Sequence, residues 1–288
     1  MLFSLTDSYS YSDVWFASLS IIAVVSMNEI LKKFFLLTVL PVLLSFSESV
    51  LAVDSRLHEI LRAGELRVAT TGDLDPLSLF NPTREYYRGF DIDLVKELAS
   101  DLEVKLTLVP VRWARMVEGV KHGRYDLTTS AVINMERAKW VGFSDSYLSI
   151  MTVPVILKKN KKKYPSWSSL NRQGVNIVVT QGGVFEQRAR TYFPDTNIEP
   201  VQRPDDDYMK VIWGQSDAYL TSNLEALSLK SRFPNLIVVE DGVPEQVNML
   251  AMMMPQGDQV WINYINQWLR LKEEEGFIDQ LKQRWMPE

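Results

Sequence analysis

The sequence predicts an α/β protein of two lobes, each a mostly parallel sheet flanked by helices and joined by two strand crossovers, on three observations. From residue 66 onward, short β-branched runs alternate with stretches of helical periodicity, which is the pattern of βαβ units. The alternation comes in two series, before and after Tyr147. No Gly/Ser-rich linker divides them, so the crossings are expected to be strands, near 149–155 and 246–252.

In the first series, 66–70 reads as a strand and 91–102 as a helix with Ile92, Val95, Leu98 and Ala99 on one face. A strand at 104–110 follows, then a helix over 112–121 stopped at Gly123, and a third strand led by Tyr125-Asp126-Leu127-Thr128 and ended by Thr129 and Ser130. The second series runs as strand 151–157, strand 175–180, helix 184–192, strand 198–201, helix 205–213, strand 218–221, helix 223–231 and strand 236–239. Two helices close the chain, over 259–275 and 278–285. The expected division is a first lobe of 53–148 plus 252–288 and a second of 149–251, with ligand in the cleft outside the strand ends. Lysines crowd 158–163, which reads as a solvated turn, and Met249 to Met254 reads as a buried crossover strand.

Composition narrows the chemistry. The 288 residues are 46% hydrophobic and 23% charged, an ordinary globular balance. A net charge of −5 argues against a nucleic-acid partner, which needs a surplus of Lys and Arg. Cysteine is absent, which removes disulfides, thiolate nucleophiles and Cys-based metal sites together. The two histidines, His58 and His122, lie in a polar run and at a helix end, and neither is assigned a catalytic role; no metal and no cofactor is expected.

Residues 1–52 read as a targeting segment. Lys32-Lys33 precede an apolar run over 34–46, and Val50-Leu51-Ala52 supply the small-residue cleavage site of a secretory signal, cut after Ala52. Met27 opens such a signal by itself, so it is taken as the true start. The run is too short to span a bilayer and contains a proline. Residues 53–288 then carry a net −3 and are expected in the periplasm.

The segments Gly89-Phe90-Asp91-Ile92-Asp93-Leu94, Gly123-Arg124-Tyr125-Asp126-Leu127, Glu136-Arg137-Ala138-Lys139 and Phe143-Ser144-Asp145-Ser146-Tyr147, in that order and spacing, resemble the family 3 extracellular solute-binding proteins. The likeness runs from Gly64 to the last helix. It implies a periplasmic-binding-protein fold of type II, capture of a small carboxylate or amino-acid-like ligand between the lobes, and delivery to an ABC-type permease of the inner membrane. Thr70-Thr71-Gly72-Asp73, Pro76-Leu77-Ser78, Ile133-Asn134-Met135-Glu136-Arg137 and Gly182-Gly183-Val184-Phe185-Glu186 resemble cyclohexadienyl dehydratase, an exported enzyme similar to these receptors. That likeness implies an alternative, dehydration of prephenate or arogenate with Glu186 as general acid.

Arg137 is the first candidate site residue. Its planar guanidinium can clamp a carboxylate at two points, and in similar receptors an arginine at this position holds the ligand's α-carboxylate; the alternative is a surface helix arginine beside Glu136 and Lys139. Thr129 and Ser130 offer hydroxyls to the same carboxylate, although 126–137 is one residue shorter than in similar proteins. Gln181-Gly182-Gly183 opens a helix, aiming backbone N–H groups at an anion, with Gly183 closest to the helix. Ser222 stands where similar receptors carry the aspartate that meets a ligand ammonium; either Asn223 or Glu225 partly replaces that charge or the ligand lacks an amine. Phe80, Tyr86, Tyr87 and Trp113 are placed at the mouth as an aromatic wall.

Overall fold

The computed structural model describes residues 55–202, 207–242 and 247–286. The targeting segment expected over 1–52 lies outside the described residues. No helix among the described residues is long and apolar enough to cross a membrane.

Ser55 caps helix α1 (Arg56–Ala63) by accepting from the Leu57 N–H, and Gly64 stops it at φ 65°, a left-handed turn that suits glycine. Strand β1 (Glu65–Thr70) follows. Strands β2 (Asp73–Leu74), β3 (Ser78–Asn81) and β4 (Tyr86–Arg88) make a small antiparallel meander absent from the expected element order. Helix α2 (Phe90–Asp101) buries Phe90, Leu94, Val95 and Leu98, and β5 (Lys105–Pro110) returns beside β1. The helix expected over 112–121 is split into a 3-10 turn, Trp113–Arg115, and α3 (Met116–Lys121). The third strand, β6 (Leu127–Val132), does not end at Ser130: it runs two residues further, because its pairing with a later strand resumes at Ala131 and Val132. A short helix α4 (Met135–Ala138) and β7 (Val141–Phe143) lead to β8 (Leu148–Leu157).

The second series comprises β9 (Asn176–Thr180), α5 (Val184–Tyr192), β10 (Asn197–Val201), α6 (Asp207–Ile212), β11 (Ala218–Ser222), α7 (Asn223–Arg232) and β12 (Leu236–Val238). Strand β13 (Val247–Pro255) and helices α8 (Gln259–Glu274) and α9 (Phe277–Trp285) complete the chain.

The strands line up as β10-β9-β11-β8-β13-β6-β1-β5, with β12 on β8 and β7 on β13. β1 is parallel to both neighbours, and so is β9. The long strands β8 and β13 pair antiparallel from Leu148–Leu250 to Met151–Val247 and join the two halves. Alternation sorts the side chains: Ile177 and Val179 of β9, with Leu220 of β11, enter one apolar layer, while Val178 and Tyr219 enter the layer on the opposite face. A sheet covered on both faces makes such strands read as continuous apolar runs. The methionine run behaves likewise, Met252 and Met254 facing one cluster and Met253 another, all fully buried.

Helices α8 and α9 pack on the first half of the sheet, where Trp261, Ile265, Leu269 and Leu281 join the cluster of Leu66, Phe90 and Leu94. Asp258 anchors them. It caps α8 through the Trp261 N–H at 3.0 Å and accepts from Ser55 Oγ at 2.8 Å. The lysine turn follows its sequence reading: Lys158–Asn160 form an exposed 3-10 turn, and Lys163 pairs with Asp217 at 3.2 Å.

Candidate functional site

A cavity lies between the halves, walled by residues of both. Asp73, Leu74, Trp113, Ser130, Val132 and Arg137 line it from one side. Thr180, Gly183, Val184, Phe185, Tyr219 and Glu225 line it from the other, and Ile150 of the crossing strand β8 joins them.

Arg137 sits in the single turn of α4. Asn134 starts that turn, its side-chain oxygen accepting from the Arg137 N–H at 2.8 Å. The guanidinium is half-buried, and among the described residues it makes no hydrogen bond or ion pair. Burial draws its pKa below the ordinary arginine range, against the opposing charge of Glu136. A desolvated cation without a counter-ion is costly, and an incoming carboxylate removes that cost.

Ser130 takes a left-handed conformation, φ 47°, within a buried strand. The reason is a bulge: between Thr128 and Ala131 β6 advances three residues while β13 advances two, from Ala251 to Met253. The Ser130 N–H, thus turned out of the ladder, donates to Tyr147 Oη at 2.7 Å, and Tyr147 in turn donates to Asp91 Oδ1 at 3.1 Å. On the same side, Trp113 donates its indole N–H to Asp73, 3.0 and 3.1 Å from the two carboxylate oxygens, which fixes the ring as a wall.

Gly183 precedes α5, so Gly183, Val184 and Phe185 bring the N-terminal end of that helix to the cavity wall. Gly182, at φ 74°, rests on Ala114 of the facing lobe so closely that a Cβ would come within 2.6 Å of the Ala114 Cβ. Ser228 of α7 donates to Asp75 in the β2–β3 turn, and Arg232 lies 3.8 Å from the same carboxylate. The lobes therefore touch on both sides of the cavity.

The structure brings together Arg137, Ser130, Gly183 and Trp113 in one wall system. Thr129 lines a smaller chamber behind it, and Phe80 lines an outer, more open cavity that shares Asp73, Trp113 and Thr180 with the inner one. Tyr87 joins Phe80 there, while Tyr86 is exposed and does not line it. Ser222 is fully buried and caps α7, its hydroxyl accepting from the Glu225 N–H at 3.0 Å, and it does not line the cavity. Glu186 also lies outside the lining: its carboxylate accepts from the Gly182 N–H at 2.9 Å and pairs with Arg190 at 2.9 Å.

Sequence reading passed over Asp73, Thr180 and Tyr219, and it did not give Asp91 and Tyr147 a role. The last two stood in the quoted motifs, as did Asp73, and the signal was Asp91 next to Phe90 on the buried face of a helix whose other first-turn acid, Asp93, pairs outward with Arg284. Glu225 is buried, and its Oε2 accepts from the Tyr219 and Thr221 hydroxyls.

The description "bacterial extracellular solute-binding proteins, family 3" matches residues 66–288. The chain belongs to that family. Among curated members, it is 31% identical over 243 residues to cyclohexadienyl dehydratase of Pseudomonas aeruginosa, covering 83% of this chain and 89% of that one. It is 28% identical over 194 residues to a glutamine-binding protein of Geobacillus stearothermophilus, covering 66% and 73% respectively. Among solved structures, an ancestral amino acid-binding protein described as a precursor of cyclohexadienyl dehydratase superposes with a TM-score of 0.75 at 31% identity, over 80% of this chain and 99% of that one. The two-lobed, type II periplasmic-binding-protein architecture is common to this family 3 chain and its neighbours.

Proposed function

We propose that the protein captures a small, amino-acid-like carboxylate between its lobes, with Arg137 as the carboxylate clamp, and hands it to an inner-membrane ABC permease. The observation that carries this reading is the half-buried Arg137 guanidinium, without a partner among the described residues, in a cavity walled by both lobes. Ser130 and the N–H groups after Gly183 supply further donors, and Trp113 with Phe185 supplies the apolar faces. Ser222 brings no negative charge to the cavity, so Glu225, three residues on and in its lining, is the acid placed to meet a ligand ammonium. Phe80 and the outer cavity belong to the approach rather than to the clamp, and Thr129 lies in the chamber behind it. Export by a signal cut after Ala52 would place the protein in the periplasm, with 53–148 plus 252–288 as one lobe and 149–251 as the other.

A second reading, dehydration of prephenate or arogenate with Glu186 as general acid, is supported by the 31% identity to cyclohexadienyl dehydratase. The engagement of Glu186 with Gly182 and Arg190, away from the cavity, weighs against it. One experiment separates the two. Calorimetric titration of the purified chain with the protein amino acids and with prephenate is expected to give saturable binding of an amino acid and no phenylpyruvate absorbance. Turnover of prephenate that is lost in Glu186→Gln would overturn the binding-protein reading.

A further inference from the structure

The clamp leaves the buried Asp91 unused. Asp91, in the first turn of α2, is 1% exposed. It lines a small chamber with Thr70, Ser78 and Thr129, and this chamber shares Leu74, Trp113 and Ser130 with the ligand cavity. Tyr147 links Asp91 to Ser130: it donates to Asp91, accepts from the Ser130 N–H, and is held by parallel stacking on Phe90 with ring centroids 6.0 Å apart. Ser130 keeps its left-handed backbone only because its surroundings over-determine it, since such a conformation is unfavourable for a non-glycine residue.

We propose that Asp91 is a positioning residue of the carboxylate site: through Tyr147 it holds Ser130 in the turn that places it in the wall with Arg137, so a group the ligand never touches sets the affinity. The inference rests on the reading of that cavity as the ligand site. An ionised Asp91 can only accept, which commits the single Tyr147 proton to it and leaves the phenolic oxygen for the Ser130 N–H. A protonated Asp91 can donate instead, and the Tyr147 proton is then free to turn toward Ser130 Oγ, 3.5 Å away. Burial raises the Asp91 pKa to about 6, against hydrogen bonds from Ser130, Thr129 and Tyr147, so both forms occur at ordinary pH. Among the described residues Tyr147 is the titratable side chain facing Asp91, and burial holds it well above the usual tyrosine range. The charges on the outer side of α2 are turned away, Asp93 to Arg284 and Glu97 to Lys272.

The test reads the Ser130 amide by nitrogen-15 NMR in the ligand-free full chain, from about pH 4.5 to about pH 7.5. The expected result is a titration with its midpoint near 6 in the parent protein, absent in Asp91→Asn. A flat Ser130 signal in the parent, or the same titration in Asp91→Asn, overturns the proposal. Tyr147→Phe keeps the question open to refutation if Asp91→Asn does not fold: it removes the bridge and is expected to shrink the Ser130 response to the part carried by the Ser130 side chain's own hydrogen bond to Asp91, and a response of unchanged size refutes the relay. With L-glutamine and prephenate as probes, affinity is expected to be about tenfold weaker at the acidic end in the parent and nearly pH-independent in Asp91→Asn. A pH dependence shared by both proteins refutes the coupling. If neither probe binds, the ligand reading of the cavity fails for both, while the Ser130 titration still decides the relay.

Discussion

Gln187 of α5 donates through Nε2 to Glu136 at 3.0 Å, which ties the helix that follows Gly183 to the residue preceding Arg137. The bond crosses the cleft, and both partners are exposed, so its contribution is modest, about 0.5 kcal/mol. Gln187→Ala is therefore expected to shift the lobes toward an open arrangement without unfolding them. Small-angle scattering of the ligand-free variant would show a larger radius of gyration, and an unchanged radius would mean that the bond does not bias closure.

Removing the clamp should separate binding from stability. Arg137→Ala is expected to weaken ligand binding by about 2–5 kcal/mol, the usual effect of deleting one partner of a desolvated ion pair. The ligand-free variant should melt no lower than the parent, because the side chain removed is a half-buried cation without a partner among the described residues. Calorimetry with the bound amino acid and a thermal melt check the two halves.

Ser222→Ala gives the opposite pattern. The hydroxyl caps α7 and is fully buried, so its loss should lower stability by about 1–2 kcal/mol. Ligand affinity should stay within about twofold, because Ser222 does not line the cavity. Glu225→Gln should do the reverse, weakening the binding of ligands that carry an ammonium.

Asp91 also makes stability depend on pH. Its folded pKa of about 6 exceeds the ordinary 3.8, so the folded state binds the extra proton between those values. Its contribution is fully present below about pH 4 and is lost as pH rises through about 6, an effect on the order of 3 kcal/mol. Denaturant titrations across that window should show a downward slope in the parent relative to Asp91→Asn. Parallel curves would mean that Asp91 ionises normally.

Much of the architecture was legible because parallel strands covered on both faces announce themselves: Ile177-Val178-Val179 and the Met252 to Met254 run could belong to little else. The meander β2–β4 was not, since strands of two to four residues carry no periodicity. Arg137 could be singled out by type and neighbours, yet that it has no counter-ion among the described residues is visible only in three dimensions. Ser222 misled for the reverse reason. A serine just before a helix is first of all a cap, and the structure shows that local role satisfied. The bulge at Ser130 depends on pairing with β13, more than a hundred residues later, which no local pattern encodes.

Gly182 meets Ala114 with no room for even a methyl group. Position 182 consequently acts as a doorstop with its wedge withdrawn: any larger residue there would prop the two halves ajar. A Gly182→Val chain would be a natural trap for the receptive, unshut form, competent to admit a guest and unable to keep it.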